Sequence, residues 1–496
     1  MSIVHFRSPA APRPVAAGGA PLAGLRVYLD SLGCAKNLVD SEATLGLLFA
    51  DGATAVADAA DADLLVVNTC GFLEQAREES IERILELAQL KTVARPRVLA
   101  VLGCLVARAA DELQESIPEV DVWLPAGQHG DLPSRVAARL AALPPESLRQ
   151  ATDRSGSGRA PASAFTGFGA RVLLTPGHTA YLKISEGCTN ACTFCSIPLM
   201  RGLQRSRPLA DIVAEARGLA AGGVRELHVV AQDLTHYGFD LEARRDLLHL
   251  MEALSAVDGI EWIRLLYAHP AHLTPRLLDG LFQVPKMVRY LDMPVQHASA
   301  AILQAMRRPY TAERVREQLA RLRETVPGIT LRSTVIVGFP GESERDFDTL
   351  CEFIAAVRYE RLGIFTYSRE PGTPAADLPG RPRATTAARR LHTLTELQMG
   401  IAAEHAAGRV GARVRVLVDG LVNAEEAAET PLARGAAFRA RSEGEALDID
   451  GVIYVEGTAA GVEPGQFLDV RITAADVFDL RARPEAPGAR QTALVS

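Results

Sequence analysis

The run Glu186-Gly187-Cys188-Thr189-Asn190-Ala191-Cys192-Thr193-Phe194-Cys195 sets three thiols at the spacing C-x-x-x-C-x-x-C. Thiolates are soft ligands, and three of them can hold three irons of a 4Fe-4S cube while the fourth iron stays open to an incoming small molecule. Zinc is the competing chemistry for clustered thiols, but no histidine or fourth cysteine stands close enough in the chain to complete a zinc set. Cys188, Cys192 and Cys195 are therefore read as cluster ligands that present one iron for chemistry.

Three more cysteines follow apolar runs nearer the amino terminus. Leu25 to Leu29 precedes Cys34, Leu64 to Val67 precedes Cys70, and Val98 to Leu102 precedes Cys104, with amphipathic stretches between them. Short apolar runs alternating with helical stretches predict a doubly wound parallel sheet, in which ligands sit at the carboxyl ends of the strands. Three thiols at such ends can converge on a second site. Small, half-buried cysteines also occur at strand ends without any role, and spacing alone does not choose between the two readings. Cys351 differs: with Phe347, Leu350 and Ile354 it falls on the apolar stripe of a helix and reads as core.

These sites need scaffolding, and a chain of 496 residues has room for about three domains. A hydrophobic content of 48% with 23% charged residues is that of a globular protein with ample core. Seven cysteines are too few and too unevenly placed for a disulfide framework, which fits a reducing, cytoplasmic setting. No stretch has the length of apolar residues needed to cross a bilayer. Residues 1–24, rich in Ala, Pro and Gly, read as a disordered extension, 25–140 as the doubly wound domain, and 141–173 as a linker. From 174 to 405, strands are expected at Tyr181 to Ser185, Leu227 to Ala231, Trp262 to Tyr267, Tyr290 to Met293, Thr330 to Val337 and Ile364 to Tyr367. Six strand-helix repeats predict a partial barrel with its site at the carboxyl ends, where the three-cysteine motif follows the first strand. Gly338-Phe339-Pro340-Gly341-Glu342 lacks a P-loop lysine and reads as a tight turn. Residues 406–480 predict a small all-β module, and 481–496 a disordered tail. From Ala406 to Leu480, thirteen acids face seven arginines, a net of −6 out of the chain's −7. Such a surface would repel a phosphate backbone and attract a basic protein.

The pieces in this order resemble the radical S-adenosylmethionine methylthiotransferases. The resemblance covers about Leu25 to Leu480 and rests on the run from Ser31 to Glu42, on Asn68-Thr69-Cys70-Gly71-Phe72, on Gly103-Cys104, on the three-cysteine motif and on the run from Leu291 to Ser299. It implies two 4Fe-4S clusters, one on Cys188, Cys192 and Cys195 and a second on Cys34, Cys70 and Cys104, with a carboxyl-terminal TRAM module. It also implies S-adenosylmethionine, cleaved to a radical that takes hydrogen from an unactivated carbon, after which a methylthio group is transferred. One branch of the family modifies an aspartate of the small-subunit ribosomal protein numbered twelve, and another a tRNA adenosine. The run Leu32 to Asn37, Ala231-Gln232-Asp233 and the run Val295 to Ser299 resemble the first, and the acidic module agrees with it. A non-catalytic iron-sulfur module docking on ribosomes is the reading from another class. An electron donor such as a flavodoxin or ferredoxin and a monomeric state complete the expectation.

Within this frame Phe194 is expected beside the adenosyl group, with a core position as the alternative. Gln232, Gln296, Arg332 and Thr334, on or just past barrel strands, are expected to hydrogen-bond the cofactor. Arg201, Arg205 and Arg207 follow the motif and either pair with a carboxylate of cofactor or substrate or lie in a solvated loop. The glycine-glycine-acid stretch of many radical enzymes is not evident at Ala231-Gln232-Asp233, so the contact to the cofactor's amino group is unassigned.

Overall fold

The computed structural model describes residues 21–93, 97–143, 171–243, 245–457 and 461–485. Most of the expected extension, linker and tail lies outside the described residues. The chain divides into two compact units. One runs up to Gly222 and adds His228–Asp258 and Ser368–Asp377, and the other holds Gly223–Leu227, Gly259–Tyr367 and the chain from Leu378 onward.

In the first unit the three apolar runs form the strands Arg26–Ser31, Leu64–Thr69 and Val98–Gly103. Two short strands missing from the sequence reading, Thr54–Ala55 and Val122–Pro125, extend the sheet at its edges. All pairings are parallel, and the order, with strands numbered along the chain, is 2-1-3-4-5. The two central strands from Leu64 and Val98 are buried along their whole length, as a parallel sheet covered on both faces requires. Side-chain alternation divides them between two cores: Leu64, Val66, Val98, Ala100 and Leu102 join one, and Leu65, Val67, Leu99 and Val101 the other. Each such side chain contributes about 1.5–3 kcal/mol when fully buried.

The order 2-1-3-4-5 reverses direction between Arg26–Ser31 and Leu64–Thr69. That crevice is the switch point at which doubly wound sheets bind ligands, and Cys34 and Cys70 follow these two strands. Register then aligns the ends, with Ser31 opposite Asn68 and Thr69 opposite Gly103, so all three cysteines emerge on one edge.

The six expected barrel strands are Thr179–Lys183 in the first unit, Glu226–Val230 at the division between the units, and Trp262–Leu266, Met287–Asp292, Thr330–Val337 and Arg361–Thr366 in the second, where the last four pair in chain order. In the second unit Thr330–Val337 alternates buried and half-buried residues, and its buried Leu331, Val335 and Val337 join a core with Phe347, Leu350, Phe353 and Ile354 of the helix Glu344–Val357. Cys351 packs on the edge of that core, as expected. The stretch after Val337 is a tight turn with Gly338 and Gly341 at positive φ.

The last module is a closed barrel in the order Arg413–Leu421, Ala436–Arg441, Ile453–Glu456, Leu480–Pro484, Phe467–Ala475. Leu480–Pro484 corrects the expected tail from residue 481, because this strand pairs in parallel with Ile453–Glu456 and antiparallel with Phe467–Ala475. Its two inward residues, Leu480 and Ala482, complete the small core. Arginines at 481 and 483 hid that alternation in the sequence.

Candidate functional site

The first unit brings Cys34, Cys70 and Cys104 close enough to interact electrostatically. Cys34 precedes the helix Ala35–Ala50 and Cys104 opens the helix Cys104–Ser116, so two of the thiols sit at positive helix ends. Asn37 laces the loops together, donating to the carbonyls of Leu32 at 2.8 Å and Thr69 at 3.0 Å, and Asn68 donates to the Asn37 carbonyl at 2.8 Å. Gly33 has φ +92°, and a Cβ there would lie 2.7 Å from Cys70 Cβ. Only glycine allows that approach. Burial pushes the Cys70 thiol up to about 12 and raises Cys104, while at Cys34 burial is outweighed by Lys36 and Arg201, which hold the thiol below its ordinary value.

Cys188, Cys192 and Cys195 lie on the loop after Thr179–Lys183, pinned by a two-residue antiparallel pair of Ser185–Glu186 with Arg205–Ser206. The loop is held by Cys188 N donating to the Gly202 carbonyl at 3.1 Å and by Ala375 N donating to the Thr193 carbonyl at 2.9 Å. Gly187, at φ +75°, would place a Cβ 2.4 Å from the Leu203 carbonyl oxygen. Cys188 is buried, which pushes its thiol up to about 11, and Cys192 and Cys195 are half-buried. Asp233 and Cys192 are among the negative groups that add to the rise. Phe194 is half-buried between the last two thiols of the motif.

Of the residues expected near the cofactor, Gln232 is the most telling. Both ends of its amide are buried and make no hydrogen bond with the protein. Leaving a buried amide unsatisfied costs about 1–3 kcal/mol, so the position makes physical sense as one that a ligand completes. The neighbouring Asp233 is buried and receives Asn190 Nδ2 at 2.7 Å while capping Thr235 N at 3.0 Å, which ties the motif loop to the end of Glu226–Val230.

Gln296 and Thr334 come together in the second unit: Gln296 N donates to the Thr334 carbonyl at 2.8 Å, and Gln296 itself stands at φ +65°. Arg332 is engaged within the protein, at 2.9 Å from Asp292 and 3.9 Å from Asp450. Arg205 is exposed, as a solvated residue would be, whereas Arg207 is buried against Glu215 at 2.6 Å and the Lys183 carbonyl at 2.7 Å.

Arg201 is also buried, and its partners were not foreseen. It reaches Asp40 at 3.1 Å, Glu186 at 2.6 Å, Asn37 Oδ1 at 2.9 Å and Cys104 Sγ at 3.2 Å. Lys183 meets the same two carboxylates, lying 2.6 Å from Glu186 and in contact with Asp40. Burial would raise the Glu186 carboxyl, but Arg201 and Lys183 hold it far below the usual carboxylate range. The one available sign was the placement of Asp40 and Glu186 beside cysteine motifs.

The acidic count of the final module needs correction as a surface property. Glu445 is buried against Arg409 and Arg361, Asp419 against Arg441, and Glu443 pairs with Arg289 at 2.9 Å. Arg289, Arg361, Arg409, Arg413 and Arg415 line a cavity of about 370 Å³. The pairs with Arg409 and Arg441 are already inside the count of −6, and Arg289 and Arg361 of the barrel bring cations from outside it to Glu443 and Glu445.

Comparison with known proteins gives three successive family matches: the uncharacterized protein family UPF0004 over residues 26–125, the radical SAM superfamily over 182–354, and the TRAM domain over 410–484. A protein of Anaeromyxobacter sp. (strain Fw109-5) named ribosomal protein uS12 methylthiotransferase RimO is 46% identical over 463 residues, covering 92% of this chain and 93% of the relative. The chain belongs to the RimO family. A RimO of Symbiobacterium thermophilum is 43% identical over 472 residues, 95% of this chain and 93% of that one. Among solved structures, the radical S-adenosylmethionine methyltransferase TsrM from Kitasatospora setae superposes with a TM-score of 0.53 at 16% identity, over 78% of this chain and 76% of that chain, a likeness of fold alone. Membership of the RimO family makes the chain a radical SAM transferase, and the family implies a 4Fe-4S cluster and S-adenosylmethionine. No helix among the described residues is long and apolar enough to cross a membrane.

Proposed function

We propose that this chain replaces a β-carbon hydrogen of an aspartyl residue on ribosomal protein uS12 with a methylthio group. One observation carries the reading: two sets of three cysteines share a single compact unit, in a chain 46% identical to a protein named ribosomal protein uS12 methylthiotransferase RimO. Cys188, Cys192 and Cys195 would hold the cluster that binds S-adenosylmethionine, and Cys34, Cys70 and Cys104 a second 4Fe-4S cluster. Both fit the donor sets present, because each offers three sulfurs, the arrangement that leaves an iron open. When bound, these groups supply one-electron chemistry that breaks a C–H bond beyond the reach of any side-chain acid or base.

The protein's part is to bind, orient and exclude. Gln232 offers its unpartnered amide to the cofactor, and Phe194 offers an apolar ring face for the adenosyl group. Asn190 and Asp233 fix the loop that carries the thiols. Gln296 and Thr334 remain as further cofactor contacts, while the pairing of Arg332 with Asp292 favours a structural role there. A flavodoxin or ferredoxin would deliver electrons to a cytoplasmic monomer, and seven cysteines too few and too unevenly placed for a disulfide framework suit that reducing setting.

The test is incubation of anaerobically reconstituted enzyme, S-adenosylmethionine and strong reductant with uS12 and, in parallel, with tRNA. A mass gain on uS12 corresponding to one methylthio group is expected. Modification of tRNA in its place would move the substrate to the other branch of the family, and clusters without any 5′-deoxyadenosine would indicate a non-catalytic module.

A further inference from the structure

Arg201 ends the short helix Ile197–Arg201 that begins two residues after Cys195. Its side chain is 1% exposed, and every nitrogen has a partner. Nη1 donates to Asp40 and Glu186 and Nη2 to Asn37 Oδ1, which aims the remaining Nε–H at Cys104 Sγ, 3.2 Å away. With Lys183 on the same two carboxylates, two cations meet two anions. The network is neutral before Cys104 is counted, so a thiolate there receives a charge-assisted hydrogen bond from a guanidinium that cannot swing away.

We propose that Arg201 is a positioning residue for the second cluster, donating from Nε to the Cys104 thiolate and thereby orienting that ligand and raising the cluster's midpoint potential. This rests on the assignment of Cys34, Cys70 and Cys104 as ligands. Donors to a ligating sulfur withdraw electron density and favour the reduced, more negative cluster, and such outer partners are worth about ten- to a hundredfold in metal affinity or activity. Glu186, two residues before Cys188, grips the same guanidinium. One side chain therefore fixes the second thiol set and the approach to the first motif together.

The experiment uses the full chain with Cys188→Ala, Cys192→Ala and Cys195→Ala, so that the second cluster alone contributes to the spectra. Adding Arg201→Lys keeps the charge but removes the planar fork that serves four partners at once. The expected result is a folded protein whose midpoint potential moves negative, by about 59 mV for each tenfold loss of preference for the reduced state, and whose iron is lost about ten- to a hundredfold more readily to a chelator. If Arg201→Lys does not fold, pulsed EPR of the protein retaining Arg201, grown with arginine carrying 15N at Nε, decides instead, because a nitrogen hydrogen-bonded to a sulfur that ligates the cluster shows hyperfine coupling. A full cube with no 15N coupling, or with an unmoved potential in Arg201→Lys, overturns the role of Arg201 and leaves the second cluster standing. A triple-alanine protein that binds no iron overturns the ligand assignment itself.

Discussion

Arg201 Nε lies 3.2 Å from Cys104 Sγ, across 97 residues of sequence. The contact joins the helix after the three-cysteine motif to the end of the fourth strand of the doubly wound sheet. Both thiol sets therefore border the same buried ion-pair network.

Replacing Cys34, Cys70 and Cys104 together with alanine is expected to leave about half the iron and sulfide of the wild type, since on the proposed assignment one of two cubes loses its ligands. Metal analysis of anaerobically purified protein reads this directly. Full retention would remove the second cluster from the account.

Gly33→Val should damage the second thiol set with little effect on the first. Its Cβ would sit 2.7 Å from Cys70 Cβ in a backbone conformation, φ +92°, that β-branched residues avoid. Strain and overpacking of this kind cost about 1–3 kcal/mol. A lower thermal midpoint together with loss of about half the iron is the expected pair of results, and a wild-type iron content would show that the loop has room to move.

Gln232→Leu tests the orphaned amide. Removing a buried polar group that has no protein partner should leave the apo protein as stable as before or slightly more so. Affinity for S-adenosylmethionine should fall by about tenfold, corresponding to about 1.4 kcal/mol of lost hydrogen bonding. Calorimetric titration of the cluster-loaded protein gives the affinity, and denaturant melts of the apo protein give the stability. Unchanged affinity would take Gln232 out of the cofactor site.

Glu445 should govern acid stability in the second unit. Burial alone would raise its carboxyl, but Arg409 and Arg361 outweigh burial and hold it at about 2. The stability it contributes is complete above the unfolded value of 4.5 and disappears as pH falls through about 2, a difference of about 3 kcal/mol. Glu445→Gln should lose about that much near neutral pH, because two half-buried arginines lose their carboxylate. The variant's urea midpoint should then change less than the wild type's between pH 7 and pH 3. Parallel acid slopes for the two proteins would show that Glu445 does not carry the effect.

Much of this protein is local and was readable as such. The C-x-x-x-C-x-x-C spacing is a property of a ten-residue loop, so the reading of Cys188, Cys192 and Cys195 as cluster ligands needed nothing from the rest of the chain. Strands buried on both faces announce themselves as apolar runs, which is why Leu64–Thr69 and Val98–Gly103 were found within a residue or two. Leu480–Pro484 was missed because two inward residues alternating with arginines make a weak pattern, and the barrel closure that buries them involves partners far away in sequence.

What folding alone decided is which distant groups meet. Cys34, Cys70 and Cys104 converge because parallel register aligns three strand ends and the strand order places a crevice between the first two, neither of which is written in the spacing of the cysteines. The charge of the final module was countable, but the pairing of its Glu443 and Glu445 with Arg289 and Arg361 of the barrel was not. Asp40 and Glu186 stood beside cysteine motifs and Arg201 was open between a carboxylate partner and a solvated loop, but nothing in the sequence joined them to one another or to Lys183. Buried together, each loses its water and must find an opposite charge, and that requirement turns four scattered residues into the network that holds the Cys104 thiol.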